Sequence, residues 1–220
     1  MYSTSFDAPS SVSTEITLSS LFTGAPAPQH EGAAGILRRW ATDYLSKSHP
    51  ELGRKGAVCP FTMPSIKKDL FWVAFLDGDN LDRAAISGAL TEVIEEFQSS
   101  PPVDANDEML KTALLVFPDL EDHSLIDEIQ LEFKNLFIKY DLMIGQFYPG
   151  CGESGLWNTH FRPLDAPYAM IAIRHVTSSD YPFLASDENW AAAYLTKFAP
   201  HIPARVRNDM AKRIASGKAA

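Results

Sequence analysis

Four short apolar runs, separated by longer amphipathic segments, are the feature of this sequence that most constrains its fold. The runs cover residues 71–76, 113–117, 143–149 and 169–176, and apolar runs bounded by turn-forming residues are typical of buried strands. Segments 81–97 and 124–140 carry apolar residues at helical spacing. This order predicts an α+β two-layer sandwich, ferredoxin-like or related, with a small, mostly antiparallel sheet and helices on one face.

The flanking segments predict one domain with two appendages. Residues 1–32 are rich in Ser, Thr, Pro and Ala and are interpreted as a flexible arm or a wrapped extension. A first helix is expected over 33–48, and Asp79 or Asn80 is expected to cap the helix over 81–97. The single domain is assigned to 33–200, ending in a helix over 188–198, and 201–220 is assigned to a C-terminal helix.

Composition narrows the classes of function. A formal net charge of -9 and a pI near 5.1 oppose binding to nucleic acid, which requires clustered Lys and Arg. The apolar runs are shorter than the ~20 residues of a membrane span. The N-terminus lacks the pattern of a secretory signal, so a cytoplasmic protein is expected. We also consider a homodimer.

Two polar residues lie near the end of the last apolar run. Arg174 supplies a fork of donors for a carboxylate or phosphate, and His175 titrates near neutral pH and serves as a base or a metal ligand. An Arg paired with a local Asp and a His bonded to the backbone explain the same pattern without a function. Because side chains alternate along a strand, at most one of the two needs to face a site.

The connection between the last two runs is dense in aromatic and polar residues. It contains Trp157, Asn158, His160, Phe161 and Arg162, and long ordered loops often carry function. A loop held in place by its own aromatic residues is the structural alternative. Its glycines at 150, 152 and 155 do not have the spacing of a dinucleotide or P-loop motif.

Cys59-Pro60 lies in a loop fixed by Gly and Pro residues. Such a loop can present a thiolate to haem iron, although a buried inert cysteine is the commoner case. A nucleophilic pair of Cys59 with His175 is a further option. With only Cys59 and Cys151 present, free thiols are expected rather than a disulfide, and the histidines form no zinc-type spacing.

Several segments resemble those of an uncharacterised bacterial and fungal domain family of unknown function. They are the loop 53–61, the run 143–149, Phe161-Arg162-Pro163-Leu164, and Ile173-Arg174-His175-Val176 with 180–184, and the resemblance covers about residues 35–200. The order of elements is also similar to that of small haem-dependent enzymes that oxygenate amino-acid nitrogen in natural-product pathways. This likeness implies haem bound by His175 or Cys59, and Arg162 and Arg174 orienting an acidic substrate.

These observations predict a haem-dependent oxidoreductase of the oxygenase type that acts on a small polar metabolite, anionic or amino-acid-like, in secondary metabolism. A non-catalytic ligand-binding or accessory protein, and a cofactorless lyase or isomerase with His175 as general base, are the alternatives. The expected site has His175 and Arg174 as catalytic residues. Cys59, His175 and Phe61 are expected at the cofactor, and Arg162, Arg174, Gln146 and Tyr148 at the substrate.

Overall fold

An open five-stranded sheet forms the centre of the molecule. The computed structural model describes residues 16–78, 80–103, 106–199 and 207–208. The strands are β1 (Ser19–Ser20), β2 (Phe71–Phe75), β3 (Thr112–Phe117), β4 (Leu142–Phe147) and β5 (Ala169–His175), in the spatial order β1-β2-β3-β5-β4. Strands β2 and β3 are parallel, and the other neighbouring pairs are antiparallel. The predicted α+β class and the mostly antiparallel sheet are confirmed.

The helices in the described residues are α1 (Glu31–Arg39), α2 (Thr62–Lys67), α3 (Arg83–Ser99), α4 (Ser124–Lys139), α5 (Tyr181–Leu184) and α6 (Glu188–Phe198). A π-helical segment, Trp40–Leu45, continues α1 directly, and short 3-10 turns occur at Pro28–His30, Pro50–Leu52 and Glu108–Leu110. The connectivity from β2 onward is β-α-β-α-β-β, which differs from the β-α-β-β-α-β order of the ferredoxin-like fold. The architecture is therefore a related sandwich.

Helices α3 and α4 cover one face of the sheet. Ile86, Leu90 and Phe97 of α3, and Ile126 and Ile129 of α4, are buried in one apolar cluster with the strands. Their spacing of three, four and seven residues places them on one side of each helix. Each such side chain contributes roughly 1.5–3 kcal/mol to folding. These two helices form the layer that the sequence predicts.

Helix α1 covers the opposite face, which departs from the prediction of helices on one face only. Ala34 and Leu37 of α1 pack with Phe71, Val73 and Leu114 in a second apolar cluster. The reason lies in β2 and β3, whose side chains are apolar on both sides of the sheet. A strand of that kind is stable only when both of its faces are covered.

Two terminal segments complete the packing. Residues 16–32, from the predicted arm, supply β1, and the backbone N–H of Leu18 donates to Glu96 of α3 at 2.8 Å. Helix α6 closes one end of the sheet, where Trp190 and Tyr194 pack against Met143 and Val176. Residues 1–15 of the arm, and nearly all of the predicted C-terminal helix over 201–220, lie outside the described residues.

The helix starts differ in detail from the prediction. Helix α3 begins after Asp82, whose Oδ1 accepts a hydrogen bond from Ala85 N at 2.8 Å. Of the predicted caps, Asn80 precedes that position by two residues and Asp79 is outside the described residues. None of the helices in the described part of the chain is long and apolar enough to cross a membrane.

Candidate functional site

An open cleft of about 430 Å³ lies between the π-helical segment, the turn at His49 and the loop that joins β4 to β5. Its volume falls within the roughly 300–1,000 Å³ of small-molecule sites. The lining combines aromatic rings with both signs of charge. The lining residues are Trp40, Tyr44, His49, Glu51, His160, Phe161, Arg162, Asp165, Ala166 and Pro167.

The π-helical segment supplies one wall of this cleft. Trp40 and Tyr44 lie with their ring centroids 6.4 Å apart and their planes at 25°, and Trp40 forms a T-shaped contact with Phe147 of β4. The Nε1 of Trp40 is buried without a hydrogen-bond partner among the described residues. Single π turns are rare and occur frequently at functional sites. The π-helical backbone and the cavity therefore both indicate a functional site at this position.

Tyr44 is a neutral polar group in this wall. Its hydroxyl donates to the carbonyl oxygens of Arg162 and Pro163 at 3.5 and 3.4 Å. Burial, assisted by the charge of Asp165, raises the pKa of Tyr44 to about 12. The phenol therefore keeps its proton at neutral pH and can donate a hydrogen bond.

The second wall is a stacked pair of rings. His49 lies on Phe161 with centroids 4.7 Å apart and an interplanar angle of 27°. The Nδ1 of His49 accepts from Glu51 N at 3.2 Å, so the neutral ring carries its proton on Nε2. Asn158 Nδ2 donates to the carbonyl of Glu51 at 2.8 Å and ties the β4–β5 loop to this turn.

Arg162 is held by one nitrogen and leaves the rest of its guanidinium group available. Its Nη1 donates to Thr159 O at 2.6 Å, Phe161 O at 3.2 Å and Ser154 Oγ at 3.3 Å. Nε and Nη2 have no acceptor among the described residues. That edge is one of the two that form parallel hydrogen bonds to a carboxylate. The structure thus fixes the group while leaving a binding edge open.

Arg174 lies elsewhere, and its fork is occupied. Its Nη1 and Nη2 each donate to one oxygen of Asp180 at 2.7 Å, and its guanidinium carbon is 5.4 Å from the ring centre of Phe61. Burial disfavours the charge, but the hydrogen bonds and charge of Asp180 outweigh that effect and raise the pKa of Arg174. This is the local Arg–Asp pair that the sequence offered as the structural alternative.

His175 points to the opposite face of the sheet from Arg174, because side chains alternate along β5. The centroid of its ring lies 5.5 Å from that of Phe97. Its Nε2 is buried and lies 3.7 Å from Glu108 Oε1. Burial lowers the pKa of His175 to about 4; Glu108 opposes this shift, and Lys111 adds to it. The side chain is therefore neutral at pH 7 and does not line the cleft.

The remaining predicted residues do not converge with these two. Cys59 is partly buried near Arg174 and Phe61, on the side of the sheet away from His175. Gln146, and Tyr148 just after β4, lie two and four residues from Ile144 and so share its face of the sheet, towards α4, where Tyr148 donates to Asp127 Oδ2 at 2.8 Å. Of the predicted substrate contacts, Arg162 is the one that lines the cleft.

The sequence predicts His175 or Cys59 as the iron ligand. The two residues lie on opposite faces of the sheet, and neither lines the cleft that contains Arg162. A haem bound axially by His175 would require the buried Nε2 to become accessible. Among the described residues, no group of three or more His, Cys, Asp or Glu side chains is placed to bind a metal ion.

Sequence reasoning missed most of the cleft. Trp40 and Tyr44 have the spacing of apolar residues on the core-facing side of an α-helix. A π turn does not alter that apolar spacing in a way that the sequence reveals. His49 precedes Pro50, and this pair predicts the end of a helix rather than a site. The signal in the sequence is the aromatic and polar composition of the β4–β5 loop, whose His160, Phe161 and Arg162 line the cleft.

Comparison with known protein families gives a match over residues 34–209, to the model described as "Domain of unknown function (DUF6875)". The chain has no significant match among curated proteins or among solved structures. The family match spans strands β2 to β5, most of α1, the helices α2 to α6 and every residue that lines the cleft. The chain therefore belongs to the DUF6875 family, as the resemblance over residues 35–200 predicted.

Proposed function

We propose that this protein binds a small organic molecule in the cleft, with a carboxylate at Arg162 and a flat apolar part between the aromatic walls. The observation that carries the proposal is the open Nε–Nη2 edge of Arg162, fixed beside the rings of Phe161 and Tyr44. A fixed fork loses little freedom when it binds a carboxylate, so more of the hydrogen-bond energy appears as affinity.

The lining supports a flat ligand rather than a compact inorganic anion. Trp40 and Tyr44 form one wall, and the stacked pair of His49 and Phe161 forms another. Aromatic side chains bury much apolar area with few freely rotating bonds, and offset stacking adds about 0.5–1.5 kcal/mol for each ring pair. A bare phosphate would use none of this surface.

This function is better supported than the haem-dependent oxidoreductase predicted from the sequence. The oxidoreductase requires an accessible iron ligand near the substrate residues. His175 Nε2 is buried, and Cys59 does not line the cleft that contains Arg162. It stays a prediction, tested by titrating the purified protein with haemin and following the Soret band. Saturable binding that is lost in Cys59→Ala or His175→Ala would favour it over the cleft proposal.

The test of the proposed function uses two probes that differ in one group. Indole-3-propionate and indole-3-propanol share the ring and chain length, and only the first is charged. Ligand-observed NMR titration should give a lower Kd for the acid, and Arg162→Gln should raise that Kd roughly 10-fold while leaving the alcohol unchanged. Arg39→Gln is the matched control, because Arg39 is exposed and does not line the cleft.

Two results would contradict the proposal. Equal affinity of the wild-type protein for the acid and the alcohol would mean that Arg162 does not bind a carboxylate. Equal effects of Arg162→Gln and Arg39→Gln would mean that the acid responds to overall charge rather than to this cleft.

A further inference from the structure

The cleft contains charged groups of opposite sign that are not paired with each other. Arg162, Asp165 and Glu51 line the same cavity, yet none of them forms an ion pair within the described residues. Together these three side chains carry one positive and two negative formal charges. A ligand that carries only a carboxylate would gain from Arg162 but leave the negative charges of Asp165 and Glu51 without a countercharge.

Asp165 is fixed in place and has one oxygen left for a ligand. Its Oδ1 accepts from Gly150 N at 2.8 Å, and Oδ2 has no partner among the described residues. Asp165 lines the same cavity as Tyr44, and its negative charge adds to the effect of burial in raising the pKa of the Tyr44 phenol. An ammonium group at this position would gain from the carboxylate and from the neighbouring ring faces.

We infer that the ligand is a zwitterion, with its carboxylate on the Nε–Nη2 edge of Arg162, a protonated amine at Asp165 and a flat apolar side group between the walls. Aromatic α-amino acids are the chemical class that presents these three groups together. The inference rests on the proposed function, because it concerns the ligand of the same cleft. It adds the amine and the role of Asp165.

The cavity volume is consistent with a ligand of this size. About 430 Å³ lies near the lower end of the range for small-molecule sites. The Nε1 of Trp40 is buried within the aromatic wall, so it is closed to a ligand in the open cleft.

The test compares three molecules that share an indole ring: L-tryptophan, indole-3-propionate and tryptamine. They carry both charges, only the carboxylate and only the ammonium. Isothermal titration calorimetry on the full chain at pH 7 should show L-tryptophan binding at least 10-fold more tightly than either analogue. This comparison needs no variant, so it does not depend on any substitution being tolerated.

Variants assign each charge to its residue. Arg162→Gln should weaken L-tryptophan and indole-3-propionate and leave tryptamine unchanged, whereas Asp165→Asn should weaken L-tryptophan and tryptamine alone. Asn retains an acceptor for Gly150 N, so the loop is expected to keep its conformation. Arg39→Gln and Asp43→Asn are matched exposed controls outside the lining.

The outcomes separate the two ideas. If indole-3-propionate binds as tightly as L-tryptophan, the zwitterion inference is wrong and the carboxylate-binding function stands. If tryptamine binds as tightly as L-tryptophan, Arg162 does not anchor the ligand and both are wrong. An absence of saturable binding for all three probes would overturn both as well.

Discussion

The pair of Arg174 and Asp180 provides the sharpest test of how this fold is stabilised. Asp180 is 1% exposed, and its carboxylate accepts from both Nη atoms of Arg174, from Thr177 N at 2.7 Å and from Thr177 Oγ1 at 3.0 Å. Asp180→Ala removes the countercharge and leaves the guanidinium group facing Phe61 and the carbonyl of His175.

Removing one partner of a buried pair costs about 3–5 kcal/mol, because the other charge stays buried and unpaired. The side chain of Arg174 retains 24% exposure, so some solvation remains. We therefore expect Asp180→Ala to lower the free energy of unfolding by about 3 kcal/mol, at the lower end of that range. Arg174→Met should cost a similar amount, because Asp180 then keeps only the two donors of Thr177.

Urea unfolding followed by circular dichroism at pH 7 measures these values, and the double variant Arg174→Met/Asp180→Ala closes the cycle. Its loss should be smaller than the sum of the single losses by about 2 kcal/mol or more. The exposed pair Arg83 and Glu128 is the control, for which the coupling should stay below about 1 kcal/mol. Additive losses at Arg174 and Asp180 would refute the reasoning.

Three further predictions concern other buried or constrained positions. Protonation of His175 should lower the free energy of unfolding of the wild type by about 2 kcal/mol between pH 7 and 4.5, because His175 has a pKa near 6.5 in the unfolded chain and about 4 in the folded chain. Urea unfolding of His175→Gln should show a smaller loss of stability over this pH range. Equal losses in the wild type and the variant would contradict this prediction. Lys111 is fully buried, and desolvation lowers its pKa. The wild type should therefore gain stability relative to Lys111→Met as the pH rises from 8 to 10. Parallel profiles of stability against pH for the two proteins would contradict this. Gly53→Ala should cost about 1–3 kcal/mol in thermal or urea unfolding, because φ is +76° and the new Cβ would lie 2.7 Å from Trp157 O, whereas Gly152→Ala, with open space, should be near neutral.

The strands and long helices could be predicted because their apolar periodicity is strong. The run from Phe71 and the run from Ala113 are buried on both faces and read as continuous apolar segments. The second helical layer was missed although those same runs contained the signal for it, since strands that are apolar on both sides require two layers. The strand order, with β5 between β3 and β4, depends on pairing across long sequence distances that local patterns do not encode.

The candidate site was predictable only in part. Arg162 and its aromatic neighbours stand out because a connecting loop rarely has such a composition. Arg174 and His175 are equally conspicuous in sequence, but their roles depend on partners that the strand does not reveal: Asp180 for one, and burial against Phe97 for the other. The aromatic wall at Tyr44 depends on a backbone form that residue types do not specify.

The π turn at Trp40–Leu45 has a consequence for how members of this family diverge. A π turn holds one residue more than the α turn that would otherwise occupy the same place, so it arises and disappears through single-residue insertions and deletions. A relative that lacks one residue between positions 40 and 45 would continue as a regular helix and present a differently shaped wall to the cleft. We therefore expect a one-residue gap here, in a segment that otherwise aligns, to accompany a change in the shape of this wall of the cleft.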